Sequence, residues 1–276
     1  MPESGSSFES LEVLADIVEE VIVEEPTYTD AILSAEDVKE LCSTKCNETK
    51  PRTSIFGYPT RPLYRELAAM CYLWINQKKC PILDLPKYDL LDEQGYQETR
   101  AATLASIKPL LEGLVALWSD WTIEERKYRI RQIFLLLGRR GLLDMLGIRK
   151  TVGTNDTWPP PRQVLEETFL ELQNDKSELT VGARALAKHY HRDSSSSWWG
   201  SSTGTEKAKN EHALGCMRKI LDTATWINIH TIVGDVTLIE ARQENGYGVR
   251  WTLDGKSFRG FLEPQMVGGH EVGWKH

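Results

Sequence analysis

Asn245-Gly246 and Asp254-Gly255 lie nine residues apart in the stretch ENGYGVRWTLDGKSFRGF, residues 244–261. Asn-Gly or Asp-Gly between alternating apolar and polar residues is the strongest short hairpin signal, because the favoured tight turns need positive φ at their centre. Two such signals in succession predict three antiparallel strands and confine this part of the chain to a meander. With two-residue turns, 242 opposes 249, 241 opposes 250, 251 opposes 258 and 250 opposes 259. Val236, Leu238, Tyr247, Val249, Trp251, Leu253, Phe258 and Leu262 then form a core side. Arg250 and Arg259 share the other face with Gly248, Thr252 and Ser257. Like charges directly opposite repel by a few tenths to about 1 kcal/mol. Three arrangements relieve this. An internal carboxylate such as Glu263 or Glu271 can neutralise the pair, both guanidiniums can splay into water, or a bound phosphate or carboxylate can bridge them. The last suits arginine because its planar fork meets two oxygens at once. A bulge in either strand moves one arginine off that face.

The residues before the meander add candidates. A helix over 180–192 sets Arg184, Lys188, His191 and Arg192 in one cationic stripe, with His189 on the Val181 and Ala185 side. A Ser/Thr/Gly-rich loop follows and runs into a helix over 205–224, where free backbone N–H groups at the helix start can receive an anion. Thr203 and Thr205 belong to that start, although Thr203 with Glu206 also reads as an ordinary capping box. The loop lacks the GK[ST] of a phosphate-binding P-loop, since Gly204 is followed by Thr205 and Glu206. Trp198 and Trp199 can stack on a base, clamp a peptide, or plug an internal seam. All six histidines fall at or after 189. His189, His191, His230 and His270 are the acid–base candidates, with His230 on an alternating strand, 225–232. His189-x-His191 cannot share a helical face, and no HExxH is present, so no metal site is assigned. No cofactor is identified either. A second strand, 236–242, completes four.

Upstream the periodicity is helical. Ser34 to Asp37 and Thr122 to Glu125 read as capping boxes. Leu11, Leu14, Ile17 and Val21 mark a short helix within 8–24. Leu63, Leu67, Met70, Cys71 and Trp74 mark another, and a third runs over 95–118 with Pro109 inside it. Further helices run through Ile130, Ile133, Phe134 and Leu137, and through Val164, Leu165 and Phe169. The fold expected is α+β: an acidic arm at 1–50, a helical domain at 55–175, and at 176–276 two helices followed by a four-stranded antiparallel meander.

Charge is uneven along this order. Residues 1–50 carry 13 Asp/Glu against 3 Lys, so the net −7 leaves +3 on the rest. Such an arm is either a solvated tail or a competitor for an anionic ligand. No apolar run reaches the ~18 residues of a membrane span. The amino terminus lacks signal or transit character, which places the chain in the cytoplasm or nucleus with no membrane partner. Five cysteines without a close CxxC pair fit reduced thiols. The function expected is binding of a phosphate-bearing small molecule, nucleotide or RNA end by Arg250, Arg259, Lys188, Arg192, Trp198, Trp199, Thr203 and Thr205. Hydrolytic or transfer chemistry by the histidines is an extension of it, and whether the chain is an enzyme stays open. Overall acidity argues against extended duplex DNA. The alternative is a non-enzymatic scaffold whose helical domain docks a protein through EERKYRIRQ (Arg126, Lys127, Arg129, Arg131) and Arg139-Arg140.

Overall fold

The computed structural model describes residues 10–45, 53–86, 93–190, 198–201, 203–232 and 234–264. Its contacts divide the chain into two compact units. One holds Met1–Ile55, Pro59–Leu85 and Gln94–Gly147, and the other holds Phe56–Tyr58, Pro86–Glu93 and Ile148–His276. The fold is α+β, with helices leading and antiparallel strands closing the chain. No helix among the described residues is long and apolar enough to cross a membrane.

The first unit is helical: α1 (Leu11–Glu24), α2 (Ala35–Leu41), α3 (Leu63–Gln77), α4 (Pro81–Asp84), α5 (Gln94–Leu117) and α6 (Ile123–Met145). Both expected capping boxes form, at Ser34/Asp37 and at Thr122/Glu125. Helix α1 buries Leu14, Ile17, Val18, Val21 and Ile22 and packs on α3 and α6. The acidic segment is therefore not a detached tail. At roughly 1.5–3 kcal/mol for each large apolar side chain removed from water, that face anchors it in the core. Its carboxylates meet the basic run of α6. Lys127 Nζ lies 2.6 Å from Glu24 and 3.2 Å from Glu20, and Arg131 lies 2.9 Å from Glu25 and 2.6 Å from Asp30. Arg139 lies 2.7 Å from Asp37. The hydrogen bond from Arg131 holds the Asp30 carboxyl below its usual range. Lys127, Arg131 and Arg139, half of the docking surface read from sequence, thus neutralise the chain's own acids. Cys42, Cys71, Cys80 and Cys216 are free thiols, and burial pushes Cys71 up to about 12.

The second unit holds β1 (Ile148–Arg149), α7 (Arg162–Leu170), β2 (Leu172–Asn174), β3 (Ser177–Thr180), α8 (Val181–Leu186), α9 (Glu206–Asp222), β4 (Trp226–Ile232), β5 (Val236–Arg242), β6 (Gly248–Thr252) and β7 (Phe258–Leu262). The main sheet has the order β1-β4-β5-β6-β7, and β2 and β3 form a separate small ladder. The meander β4 to β7 is as expected. Strand β1, parallel to β4, is an addition that no local signal announced.

Register departs from the two-residue turns. Asn245-Gly246 sits in a three-residue loop closed by Gln243 N–H to Tyr247 C=O at 2.9 Å, with Gly246 at φ +88. A type I turn followed by a left-handed glycine gives this geometry. Every β5 residue consequently slips by one: Glu240, not Ala241, faces Arg250. The second hairpin keeps Trp251 opposite Phe258, then bulges so that Arg250 faces Gly260. Arg259 is the additional residue of that bulge, and the expected Arg250–Arg259 opposition is not formed. Leu238 and Leu262 likewise pair into the face of Arg250, while Ile239 and Ala241 join the core side.

The core side collects Ile227, Ile229, Ile239, Ala241, Val249, Trp251, Phe258 and Phe261, all buried. Phe169 of α7 meets Phe258 and Phe261 edge-on at 4.9 and 5.9 Å. Gly182 of α8 lies against the Phe169 ring so closely that a Cβ would fall 2.1 Å from it. Gly182→Ala is expected to cost about 1–3 kcal/mol or more through overpacking, read as a lower denaturant midpoint.

Candidate functional site

The other face of this sheet carries buried charge. Residues paired across strands, and residues two apart along a strand, share a face. One row across the sheet therefore reads Arg149, Asn228, Glu240, Arg250, Gly260. The rows beside it supply Trp226 with Arg242, and His230 with Leu238 and Thr252. Asn228, Glu240 and Arg242 are 0, 5 and 4% exposed, and His230 and Arg250 are half-buried. Charged groups this deep are kept only when paired and hydrogen-bonded, and each pairing here is specific.

Glu240 Oε1 accepts from Arg242 Nε at 2.5 Å, and Arg242 Nη1 donates to the Gly246 and Glu263 carbonyls at 2.7 and 2.9 Å. That fixes Glu240 with its second oxygen 3.9 Å from His230 Nε2. Asn228 accepts from Thr154 Oγ1 at 2.9 Å and donates to Thr151 Oγ1 at 2.7 Å, which ties the 151–154 loop along β4. Arg250 behaves differently. Its Nε is buried and has no hydrogen-bond partner among the described residues. Burial lowers its pKa, with Glu240 opposing and Arg242 and Arg259 adding to the effect. Arg259, exposed on the bulge, is thus close enough to be felt electrostatically although it does not stand opposite.

Burial also pushes the His230 imidazole below its ordinary value; Glu240 opposes this, and Arg250 and Arg242 reinforce it. The folded state accordingly favours neutral His230. Above an unfolded pKa of about 6.5 both states are neutral and nothing is lost. As pH falls from there through the folded value, the unfolded chain takes the proton first and stability declines. His230→Asn is expected to flatten that part of the stability–pH curve, measured by chemical denaturation between pH 7 and 5.

The other candidates lie elsewhere. His189 is buried, paired with Glu263, and packs on Trp199 and Phe261 at ring distances of 5.4 and 6.0 Å. Phe261 belongs to the core side, so His189 and His230 are not brought together. Trp199 is 1% exposed, and Trp198 stacks on Tyr247 at 4.4 Å under Lys219. The indoles are packed inside the second unit, and Trp199 offers no free face to a base. Thr205, not Thr203, caps α9, its side chain accepting from Ala208 N–H. Glu206 instead accepts from Ser177 Oγ and Glu178 N–H, which puts a carboxylate at that helix start. Thr203 and Lys188 are exposed. His191, Arg192, His270 and Glu271 lie outside the described residues.

Residues 171–263 match the family model of the CdiA C-terminal tRNase toxin domain. The match spans about a third of the chain, from β2 to the end of the meander, and contains Asn228, His230, Glu240, Arg242 and Arg250. Glu93, Arg149 and the 151–154 loop fall outside it. No curated protein and no solved structure gives a match.

Glu240 and Arg242 escaped the sequence reading because VTLIEAR scans as an apolar strand. A signal was nonetheless present: polar residues two apart in consecutive strands, Asn228/His230 and Glu240/Arg242, mark one wet face of a sheet.

Proposed function

We propose that the second unit cleaves RNA on the polar face of its sheet, with transfer RNA the substrate class that the matched family suggests. The observation that carries this reading is the convergence of a neutral-leaning imidazole, a fixed carboxylate and an arginine with an unused buried donor on one face. RNA brings its own nucleophile, the 2′-hydroxyl. His230 takes the proton from that hydroxyl as O2′ bonds to phosphorus. Arg250 faces the non-bridging oxygens, where negative charge builds, and supplies the donor its Nε keeps free. The imidazolium, steadied by Glu240, returns the proton to the 5′ oxygen as the P–O5′ bond breaks. The products are a 2′,3′-cyclic phosphate and a 5′-hydroxyl. Glu240 is itself oriented by Arg242, an arrangement in which a base is held by a third group.

Arg259 lies at the edge of this face and would contact a neighbouring phosphate rather than the reacting one. The ligand site argued from the two arginines is proposed here in altered form, with Glu240 on the strand beside Arg250 and Arg259 on the strand at its other side. The test is incubation of the full chain with total transfer RNA, with product ends typed by their reactivity. Discrete fragments ending in cyclic phosphate support the reading; intact RNA over a full enzyme titration rejects it.

A further inference from the structure

Arg149 stands in the same cross-strand row as Glu240 and Arg250 but has no part in the chemistry above. It is 2% exposed and holds Glu93, also 2% exposed, side-on: Nε to Oε1 at 3.0 Å and Nη2 to Oε2 at 2.7 Å. The Trp226 indole N–H adds a third donor to Oε1 at 2.9 Å. Both donors belong to the sheet, whereas Glu93 lies 56 residues before Arg149 in the chain.

We propose that Arg149 and Trp226 form an anion subsite for a second phosphate of the RNA backbone, and that the Glu93 carboxylate stands in that phosphate's place. Four observations converge on it. A guanidinium edge that grips two oxygens of a carboxylate grips two oxygens of a phosphate in the same way. A buried indole N–H aimed at the same oxygen brings the donor set to three, a number that a carboxylate or a phosphate can accept in full. Arg149 Nη1 is buried without a partner among the described residues, so Glu93 leaves the guanidinium incompletely satisfied there. Strand spacing, at about 4.8 Å per step, sets Arg149 roughly 10 Å along the row from Glu240, beside the reacting phosphate rather than on it.

A purely structural ion pair is the competing account. It accommodates the pairing, and a side-on grip through Nε and Nη2 turns Nη1 away from any anion held there, but it does not account for the position in the catalytic row. Nor does a buried pair have to be kept for stability, since apolar residues of similar volume usually serve as well. The subsite rests on the RNA-cleaving reading for its substrate, but its anion chemistry can be tested without activity.

The experiment uses the full chain with Glu93→Ala and, because that change risks the fold, Glu93→Gln, which keeps shape and one acceptor oxygen. Sodium sulfate, against sodium chloride of equal ionic strength, is the probe of the vacated site. The expected result is a sulfate-dependent rise in Tm in the Glu93 variants, absent from the wild type and abolished by adding Arg149→Met. Cleavage of transfer RNA should also rise several-fold in Glu93→Gln. If the Glu93 variants gain no sulfate-specific stability, or gain it without faster cleavage while the wild type does cleave RNA, the subsite is overturned. If neither wild type nor variant cleaves RNA while sulfate still binds through Arg149, the RNA-cleaving reading falls and an anion site of another purpose stands.

Discussion

His230→Asn is expected to slow cleavage of transfer RNA by about 10²–10⁴-fold, the range for loss of a positioned proton-transfer group. Asparagine keeps volume and polarity on a half-buried position, so the loss should fall on kcat with the Tm nearly unchanged. Arg250→Ala is expected to cost about 10²–10³-fold, the magnitude for removing one donor aimed at developing charge. Arg250 is the cleaner probe of the two. Glu240 already holds Arg242 at 2.5 Å, so removing Arg250 strands no buried carboxylate. Among the described residues its Nε has no partner to lose. Arg250→Lys should recover only part of the rate, because an ammonium restores charge without the fork. The acidic limb of kcat/KM should lie below the ordinary histidine range in the wild type, since burial lowers the His230 pKa. Wild-type rates in both variants would remove the chemistry from this face altogether.

The legible parts of the fold were those written in short-range physics. Both capping boxes, the helix carrying Pro109 and the strand–turn alternation from 225 to 262 follow from local hydrogen bonding and side-chain period. Register was not legible at the same level. Asn-Gly serves a two-residue turn and a three-residue turn with a left-handed glycine equally well, and what decides between them is which β5 residues reach the aromatic core. The bulge at Arg259 is selected in the same way, by Phe258 and Phe261 both packing on Phe169. His230 and Arg250 were visible as residues, but their meeting with Glu240 depends on that one-residue slip. Glu93 and Arg149 were invisible, since nothing local links them to the sheet. The acidic segment misled for a related reason: a block of charge resembles a tail until its complement is known. That complement is the basic stripe of α6, with Lys127 and Arg131 about a hundred residues away.

Trp251→Ala is expected to destabilise the second unit by about 3–5 kcal/mol, the range for deleting a large aromatic from a core. Trp251 is fully buried, sits edge-on to Phe258 at 5.0 Å, and donates from Nε1 to the Leu165 carbonyl at 3.1 Å. Thr168 Oγ1 also lies 3.2 Å from that carbonyl, but its one proton has a nearer acceptor in the Gly255 carbonyl at 2.8 Å, so truncation costs the indole hydrogen bond as well as the packing. Trp251→Phe separates the terms. Removing the hydrogen bond itself accounts for about 0.5–1.5 kcal/mol, and the smaller ring adds a modest cavity. Denaturant titration followed by far-UV circular dichroism measures both. The same pair of variants tests the face assignment on which the chemistry depends. Trp251 lies between Arg250 and Thr252 in sequence but projects to the opposite side of the sheet. Cleavage per folded molecule in Trp251→Phe should therefore equal that of the wild type. A rate that falls further than the unfolded fraction explains would mean that Trp251 shares a face with Arg250, and would dissolve the row on which Glu240, Arg250 and Arg149 are aligned.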